Sequence, residues 1–423
     1  MLKNFKIDFN KISAEFKALL GNKWIQSALL INIIYLIISS FLTLTVFRNF
    51  NDFSVYYNVG GQFINDISDL YNPVHYKWAF RYFPLFGLLF IPYYLLGFEL
   101  GFIMAQLVNF IINFFICFYV YKIILLLNHQ KKEINSNGLF FYLFIFLVSL
   151  PQLYNYILGQ INLYVSLLII ISLFLFIKND TLLSDFTASF FLGLSTILKP
   201  FTLFIIPFLL LLRCNLRKRK FHFDIKRSFL RFFGVLLPIG FNFIIFITVP
   251  GLWNDFININ LVGGNPIDLN HSFSLTKLII NALILLEINF NQIFIILPVF
   301  IVFMASGFII YIFRRQTQYP LLYGYILGIL IMLLAYFDSW DHHLLILTPL
   351  LIICLFTMPK ESPLKNYYIE PSFFFFSFLD FASLGLWYLL ADIFPFNFIP
   401  TIFLLICFIS ISKYILHKDN KKI

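Results

Sequence analysis

The chain has 423 residues, of which 61% are hydrophobic and only 12% charged. A soluble fold of this size could not hide that much apolar surface, so a water-soluble enzyme or binding module is excluded and an all-α polytopic membrane protein, one integral-membrane domain over 1–423, is predicted. The formal net charge of +10 would suggest a nucleic-acid partner in a soluble protein; here it records topology, because Lys and Arg are retained in cytoplasmic loops, and no nucleic acid is expected.

Residues 1–25 place Phe5, Phe9, Ile12, Phe16 and Leu19 at helical spacing among lysines. That pattern predicts a cytoplasmic amphipathic segment on the anionic leaflet, the alternative being a disordered basic tail. The first span is 26–47, too long for a secretory signal and without a small-residue cleavage site. A polar and aromatic first outer loop, 48–100, follows, and the topology turns on whether 83–98 within it crosses the membrane. It is short, and Pro92 interrupts its backbone hydrogen bonds.

With 83–98 kept out of the membrane, the remaining spans are 101–126, 138–156, 161–177, 184–198, 201–213, 229–249, 292–313, 319–337, 341–357, 372–391 and 396–416. A second large outer loop covers 250–291. Of the thirty Lys and Arg, only Arg48, Lys77, Arg81, Lys199 and Lys277 then lie outside. A bias that strong selects this parity: twelve spans, both termini cytoplasmic, and the polar chemistry gathered on the outer face. The four cysteines fall within spans or in a basic loop, and no disulfide is expected.

Asp52 stands at the mouth of the first span, before a helix whose Phe53, Tyr56, Tyr57, Phe63 and Ile64 share a face. It reads either as an N-cap or as a general base whose pKa is raised by partial desolvation. Arg81 suits snorkelling to the interface. Lys199, followed by Pro200 between two apolar half-helices, lies deeper, where a cation calls for a partner; a lipid-linked phosphate fits it. Asp338, Asp341 and His342 share a helical face and could hold a divalent metal, cap a helix, or bind phosphate and sugar hydroxyls; the last two readings are preferred, and no metal or other cofactor is expected. Gly159-Gln160-Ile161-Asn162 reads as a tight turn carrying amides. Tyr56, Tyr57, Tyr71 and Trp340 are the aromatics placed for sugar stacking. There is no phosphate-binding glycine loop, nucleotide fingerprint or inverted repeat.

In order, the motifs are Asp52-Phe53-x-x-Tyr56, Leu70-Tyr71-Asn72-Pro73, Phe80-Arg81-Tyr82-Phe83-Pro84, Gly159-Gln160-Ile161-Asn162, Gly193 with Lys199-Pro200, Asn270-His271-Ser272 and Trp340-x-His342-His343. This series resembles the GT-C glycosyltransferases of family 87, the polyprenol-phosphate-mannose-dependent mannosyltransferases, over nearly the whole chain. Two motifs depart from the family pattern: Tyr82-Phe83-Pro84 stands for Tyr-Pro-Pro, and Asn270-His271-Ser272 for Asn-Gln-Ser.

The resemblance implies a GT-C fold with interfacial jaw helices in the first outer loop and a catalytic Asp there, matching Asp52. It implies a multi-pass cell-membrane enzyme that moves a hexose, mannose by family, from a polyprenyl or dolichyl phosphate to a glycolipid or glycan on the extracytoplasmic face. Lys199, Arg81, His342 and His343 would hold the donor phosphate. Tyr56, Tyr57, Tyr71, Gln160, Asn162, His271, Trp340 and Asp341 would line the substrate site, and membrane lipids would surround it. The alternatives are a transporter or flippase, which would spread polar residues through both halves of the membrane, and a polymerase or ligase of lipid-linked glycans.

Overall fold

A computed structural model describes residues 9–128, 136–215, 220–262, 272–315, 319–379 and 398–417. The first helices are α1 (Phe9–Leu20), α2 (Lys23–Thr45), α3 (Asp52–Asn65), α4 (Phe86–Leu95), α5 (Phe98–Leu127), α6 (Ser136–Val148), α7 (Leu150–Leu158), α8 (Asn162–Lys178) and α9 (Leu182–Leu198). A 3-10 helix, Pro200–Leu209, leads to a hairpin of β1 (Leu212–Asn215) and β2 (Lys220–Phe223). The chain continues through α10 (Ile225–Thr248), α11 (Leu252–Ile257), α12 (Leu275–Leu285), α13 (Ile293–Ile312), α14 (Pro320–Ala335), α15 (Leu344–Thr357), α16 (Glu370–Phe374) and α17 (Ile399–Leu416).

Among the described residues, six helical stretches are long and apolar enough to cross a membrane: α2, α5, α6 with α7, α10, α13 and α17. The apolar α8, α9, α14 and α15 are shorter. α14 is buried from Leu322 to Ala335 and α15 nearly throughout, so this pair is the centre of the bundle. α13 is the opposite case: Phe294, Leu297, Ile301 and Val302 are exposed apolar side chains, as on a helix whose solvent is lipid. Most of the expected 372–391 span lies outside the described residues.

The first outer loop folds back on itself. α4 is ten residues, about 15 Å at 1.5 Å per residue, half the ~30 Å hydrocarbon thickness; it cannot cross alone. It packs on α3 so closely that a Cβ at Gly60 would stand 2.6 Å from the Phe90 carbonyl oxygen. Asn242 of α10 accepts a hydrogen bond from the Leu85 amide at 2.9 Å, tying the start of α4 to the bundle.

One expected span needs correction. The 201–213 segment is not an α-helical span. Pro200 and Pro207 deny it two backbone donors, and it runs as a ten-residue 3-10 helix, about 20 Å at 2.0 Å per residue, ending in the hairpin. Among the described residues the fold is therefore helical with one two-stranded exception. The 138–156 span is present as one apolar stretch, Asn137–Leu158, with a local interruption at Ser149, where Pro151 opens α7. The N-terminal segment forms the helix α1, held to the bundle where Phe16 packs on Phe118 and Glu15 pairs with Lys122 of α5 at 2.9 Å; Phe5 lies outside the described residues.

Polar residues also do not gather at one face alone. Asn113 of α5 and Gln152 of α7 exchange hydrogen bonds of 3.0 and 2.8 Å, and Asn113 donates to Asn32 of α2 at 3.1 Å, all buried. These are neutral, mutually satisfied amides that fix one helix against another where water cannot. The four cysteines are free.

Candidate active site

The site forms where four loops on one side of the bundle meet: the start of α3, the α7–α8 turn, the turn after α9, and the 336–343 link between α14 and α15. α3 begins with a division of labour. The N-cap is Asn51, whose Oδ1 accepts from the Ser54 amide at 2.8 Å. Asp52 is the first helical residue. The capping alternative for Asp52 is thereby corrected: its neighbour closes the helix, and its carboxylate is free for other contacts.

Those contacts begin with the α7–α8 turn. Gly159 closes α7 with φ of +64°, a conformation that favours glycine, and a Cβ there would lie 2.6 Å from that of Phe53. This packing brings Gln160 beside Asp52. The Gln160 Oε1 accepts from the Tyr56 hydroxyl at 2.9 Å, so the amide N–H₂ is the group left to hydrogen-bond Asp52. Behind the turn, Asn155 donates to the Gln160 carbonyl at 3.2 Å and accepts from Asn162 at 3.2 Å.

Lys199 ends α9 and is 1% exposed. Its ammonium lies 5.2 Å from the centre of the Phe201 ring and within electrostatic reach of Asp52, Asp338, His342 and His343. Among the described residues no carboxylate is at ion-pair distance from it. Crowding by protein lifts the half-buried Asp52 to about 6, against the lowering by Gln160 and Lys199. Burial pulls Lys199 down to about 7, although both aspartates oppose it.

Arg81 is not a free cation. It faces Asp338 at 3.5 Å and hydrogen-bonds Tyr336, while Trp340 Nε1 donates to the other Asp338 oxygen. Asp338 is thus held between the first outer loop and the 336–343 link, and does not share a helical face with Asp341 and His342, which lie in a 3-10 turn, Asp341–His343. Among the described residues no three metal-ligating side chains converge. The Trp340 and His342 rings are near parallel, 12° apart with centres 6.4 Å apart. His343 Nδ1 accepts from the Trp340 amide at 3.1 Å, which leaves its other nitrogen to carry the proton.

The structure brings Asp52, Tyr56, Gln160, Lys199, Arg81, His342, His343 and Trp340 into one neighbourhood and leaves others out. Tyr57 points to the far side of α3, against Tyr94 and Phe98. Tyr71 is 1% exposed, its hydroxyl donating to the Tyr82 carbonyl at 2.7 Å; its ring is a prop with no face open to a sugar. Asn162 braces the Gln160 turn, and Asp341 is buried within the link. His271 lies outside the described residues. One member and one pairing were not read from the sequence. Tyr82, whose hydroxyl is 3.2 Å from that of Tyr56, was one of several tyrosines in the loop, and Asp338 as the partner of Arg81 pairs residues 257 positions apart.

A family model described as Glycosyltransferase family 87 matches residues 80–336, more than half of the chain. The chain belongs to glycosyltransferase family 87. This family 87 protein is accordingly a glycosyltransferase in a multi-helical membrane fold. The matched stretch contains Arg81, Gln160 and Lys199, while Asp52 and the Trp340–His343 turn lie outside it. No curated protein matches the chain.

Proposed function

We propose that this family 87 glycosyltransferase moves a hexose, mannose in the first instance, from a polyprenyl or dolichyl phosphate to a glycolipid or glycan acceptor, with inversion at the anomeric carbon. The site would face the extracytoplasmic side of the cell membrane, both termini the cytoplasm, with α3 and α4 lying along the interface and the 3-10 helix Pro200–Leu209 making one of twelve crossings. Nucleotide sugars do not reach that side, so the activated sugar arrives on lipid.

The observation that carries the reading is a carboxylate and a buried, carboxylate-free ammonium held within electrostatic reach of each other at one end of an apolar bundle. The acceptor hydroxyl attacks the anomeric carbon as Asp52 takes its proton. The bond to the lipid phosphate oxygen breaks, and the phosphate leaves with the electron pair and its charge facing Lys199. Gln160 fixes the carboxylate, and the His342–His343 edge supplies further hydrogen bonds to the phosphate. Arg81, tied to Asp338, orients that aspartate towards sugar hydroxyls. With Lys199 at the leaving group, transfer requires no divalent cation.

The buried amides of α2, α5 and α7 are the one feature that would favour a transporter. They are uncharged and hydrogen-bonded to one another, which suits helix packing and offers no ion pathway. The deciding experiment incubates the purified full chain with radiolabelled polyprenyl-phosphate mannose and candidate acceptors, beside polyprenyl-phosphate glucose and a nucleotide-mannose. Label transfer from the lipid-phosphate donors alone supports the reading. Transfer from the nucleotide sugar would overturn it, and preference for the glucose donor would replace mannose.

A further inference from the structure

The end of the bundle opposite Asp52 carries a second constellation that glycosyl transfer does not use. Lys199 in the site caps one end of α9 and Asp185 lies in the first turn at the other, about 21 Å away at 1.5 Å per residue. Asp185 accepts from Arg231 at 2.7 Å and Arg227 at 2.5 Å, and Asp180 also accepts from Arg227. The carboxylates there are therefore taken.

Two arginines beside them have none. Arg314, just past α13, is 7% exposed. It is held in place, with Cζ 4.2 Å from the centre of the Tyr311 ring and Nη1 donating to the carbonyls of Leu212 at 2.8 Å and Tyr311 at 2.7 Å. Arg213 of β1 is near enough for their charges to repel. Among the described residues no carboxylate pairs with either. Among the described residues, Arg213 Nε and the hydroxyl of Tyr311, itself 1% exposed, are buried without a hydrogen-bond partner. Two like charges fixed together beside unpaired polar atoms are unfavourable unless an anion joins them.

The hairpin indicates which anion. Its register pairs Leu212 with Phe223, Arg213 with His222, Cys214 with Phe221 and Asn215 with Lys220. Opposed residues share a face of an antiparallel pair, and the faces alternate along the strand. One face is thus Arg213, His222 and Lys220; the other is Leu212, Cys214, Phe221 and Phe223. Phe221, Phe223, Ile225 and Phe229 are exposed. An amphipathic ribbon with bare aromatics at the ends of spanning helices belongs at the headgroup level of a bilayer.

We propose that Arg213 and Arg314 form a site for the phosphate of an anionic phospholipid, with its headgroup on the polar face of the hairpin and its acyl chains entering the bilayer past Phe221 and Phe229. A soluble phosphate offers the same chemistry to the arginines, but leaves the bare aromatics without a partner.

The test uses the full chain in nanodiscs of phosphatidylcholine alone or with increasing phosphatidylglycerol, reading Tm and the lipid retained in native mass spectra; a third arm adds inorganic phosphate to neutral discs. Phosphatidylglycerol should raise Tm saturably and remain bound. Arg213→Gln, at a half-buried position, should keep the parent Tm in neutral discs and bind the anionic lipid about five-fold more weakly. Lys226→Gln, an exposed charge nearby, should respond as the parent does. The proposal is overturned if Arg213→Gln responds like the parent, if Lys226→Gln loses as much, or if inorganic phosphate alone reproduces the rise. Should Arg213→Gln be unstable in neutral discs, Arg213→Lys takes its place, with retained lipid as the readout and the same two outcomes.

Discussion

At the scale of single residues, Asn51 and Asp52 show adjacent side chains taking separate tasks. Because Asn51 holds the cap, Asp52→Asn should fold normally and lose transfer by about 10²–10⁴-fold, the share of a general base. Asn51→Ala should instead cost about 1 kcal/mol of stability, seen as a lower Tm. Near-parent turnover by Asp52→Asn would remove Asp52 from the chemistry and leave His342 as the next base to test. Linkage adds a sign. A carboxyl raised to about 6 gives stability that is complete below its ordinary value and is lost as pH rises through about 6. Asp52→Asn, uncharged throughout, should therefore melt no lower than the parent at pH 7.5.

The same two groups define a pH profile. Protonation of Asp52 below about 6 removes the base, and deprotonation of Lys199 above about 7 removes the cation. Transfer should be a narrow bell between those values. Arginine stays charged at any accessible pH, so Lys199→Arg should lose the alkaline limb even if its maximal rate falls. An alkaline limb unchanged in that variant would mean that another group sets it. Full activity in EDTA is expected alongside; loss restored by magnesium or manganese would place a metal where Lys199 is argued to act.

At the scale of elements, the α7–α8 turn decides how Asp52 is presented. The Tyr56 hydroxyl fixes which end of the Gln160 amide faces the carboxylate, and Asn155 and Asn162 brace the turn from behind. A hydrogen bond to a charged group contributes roughly 1.5–3 kcal/mol, and 1.36 kcal/mol corresponds to one pKa unit. Gln160→Ala should then move the acid limb of the rate profile upward by about one unit, with the protein still folded. A lower maximal rate with an unmoved limb would make Gln160 a substrate contact and not a positioning residue.

For the whole molecule, the topology is the testable quantity. In a cysteine-free background, cysteines at the exposed Asn65 and Val74 should label with an impermeant reagent added from outside, and those at the exposed His222 and Lys360 should not. Outside labelling at His222 would reverse the orientation and turn the proposed site towards the cytoplasm. It would leave intact the separation of the two ends: the arginine and hairpin constellation stays a full helix length from Lys199.

Membrane residence and a mostly helical chain follow from composition and run length, because a bilayer leaves a spanning backbone few ways to satisfy its own hydrogen bonds. The candidate site was legible in part, since Asp52, Gln160, Lys199 and the Trp340–His343 turn each sit at a break between apolar runs, where polar side chains have reason to be. Contacts over long separations were not legible. Nothing local distinguishes Tyr56, which meets Gln160, from Tyr57, which turns away, because one residue along a helix is a rotation of about 100° and only packing against α4 and α5 decides which side is inward. Nor does the run 201–213 declare itself a 3-10 helix ending in a hairpin: its apolarity fixes where it lives, while the prolines and the neighbouring α9, α10 and α14 fix its shape. Sequence assigned this protein its solvent, and tertiary packing decided which of its few polar groups face one another.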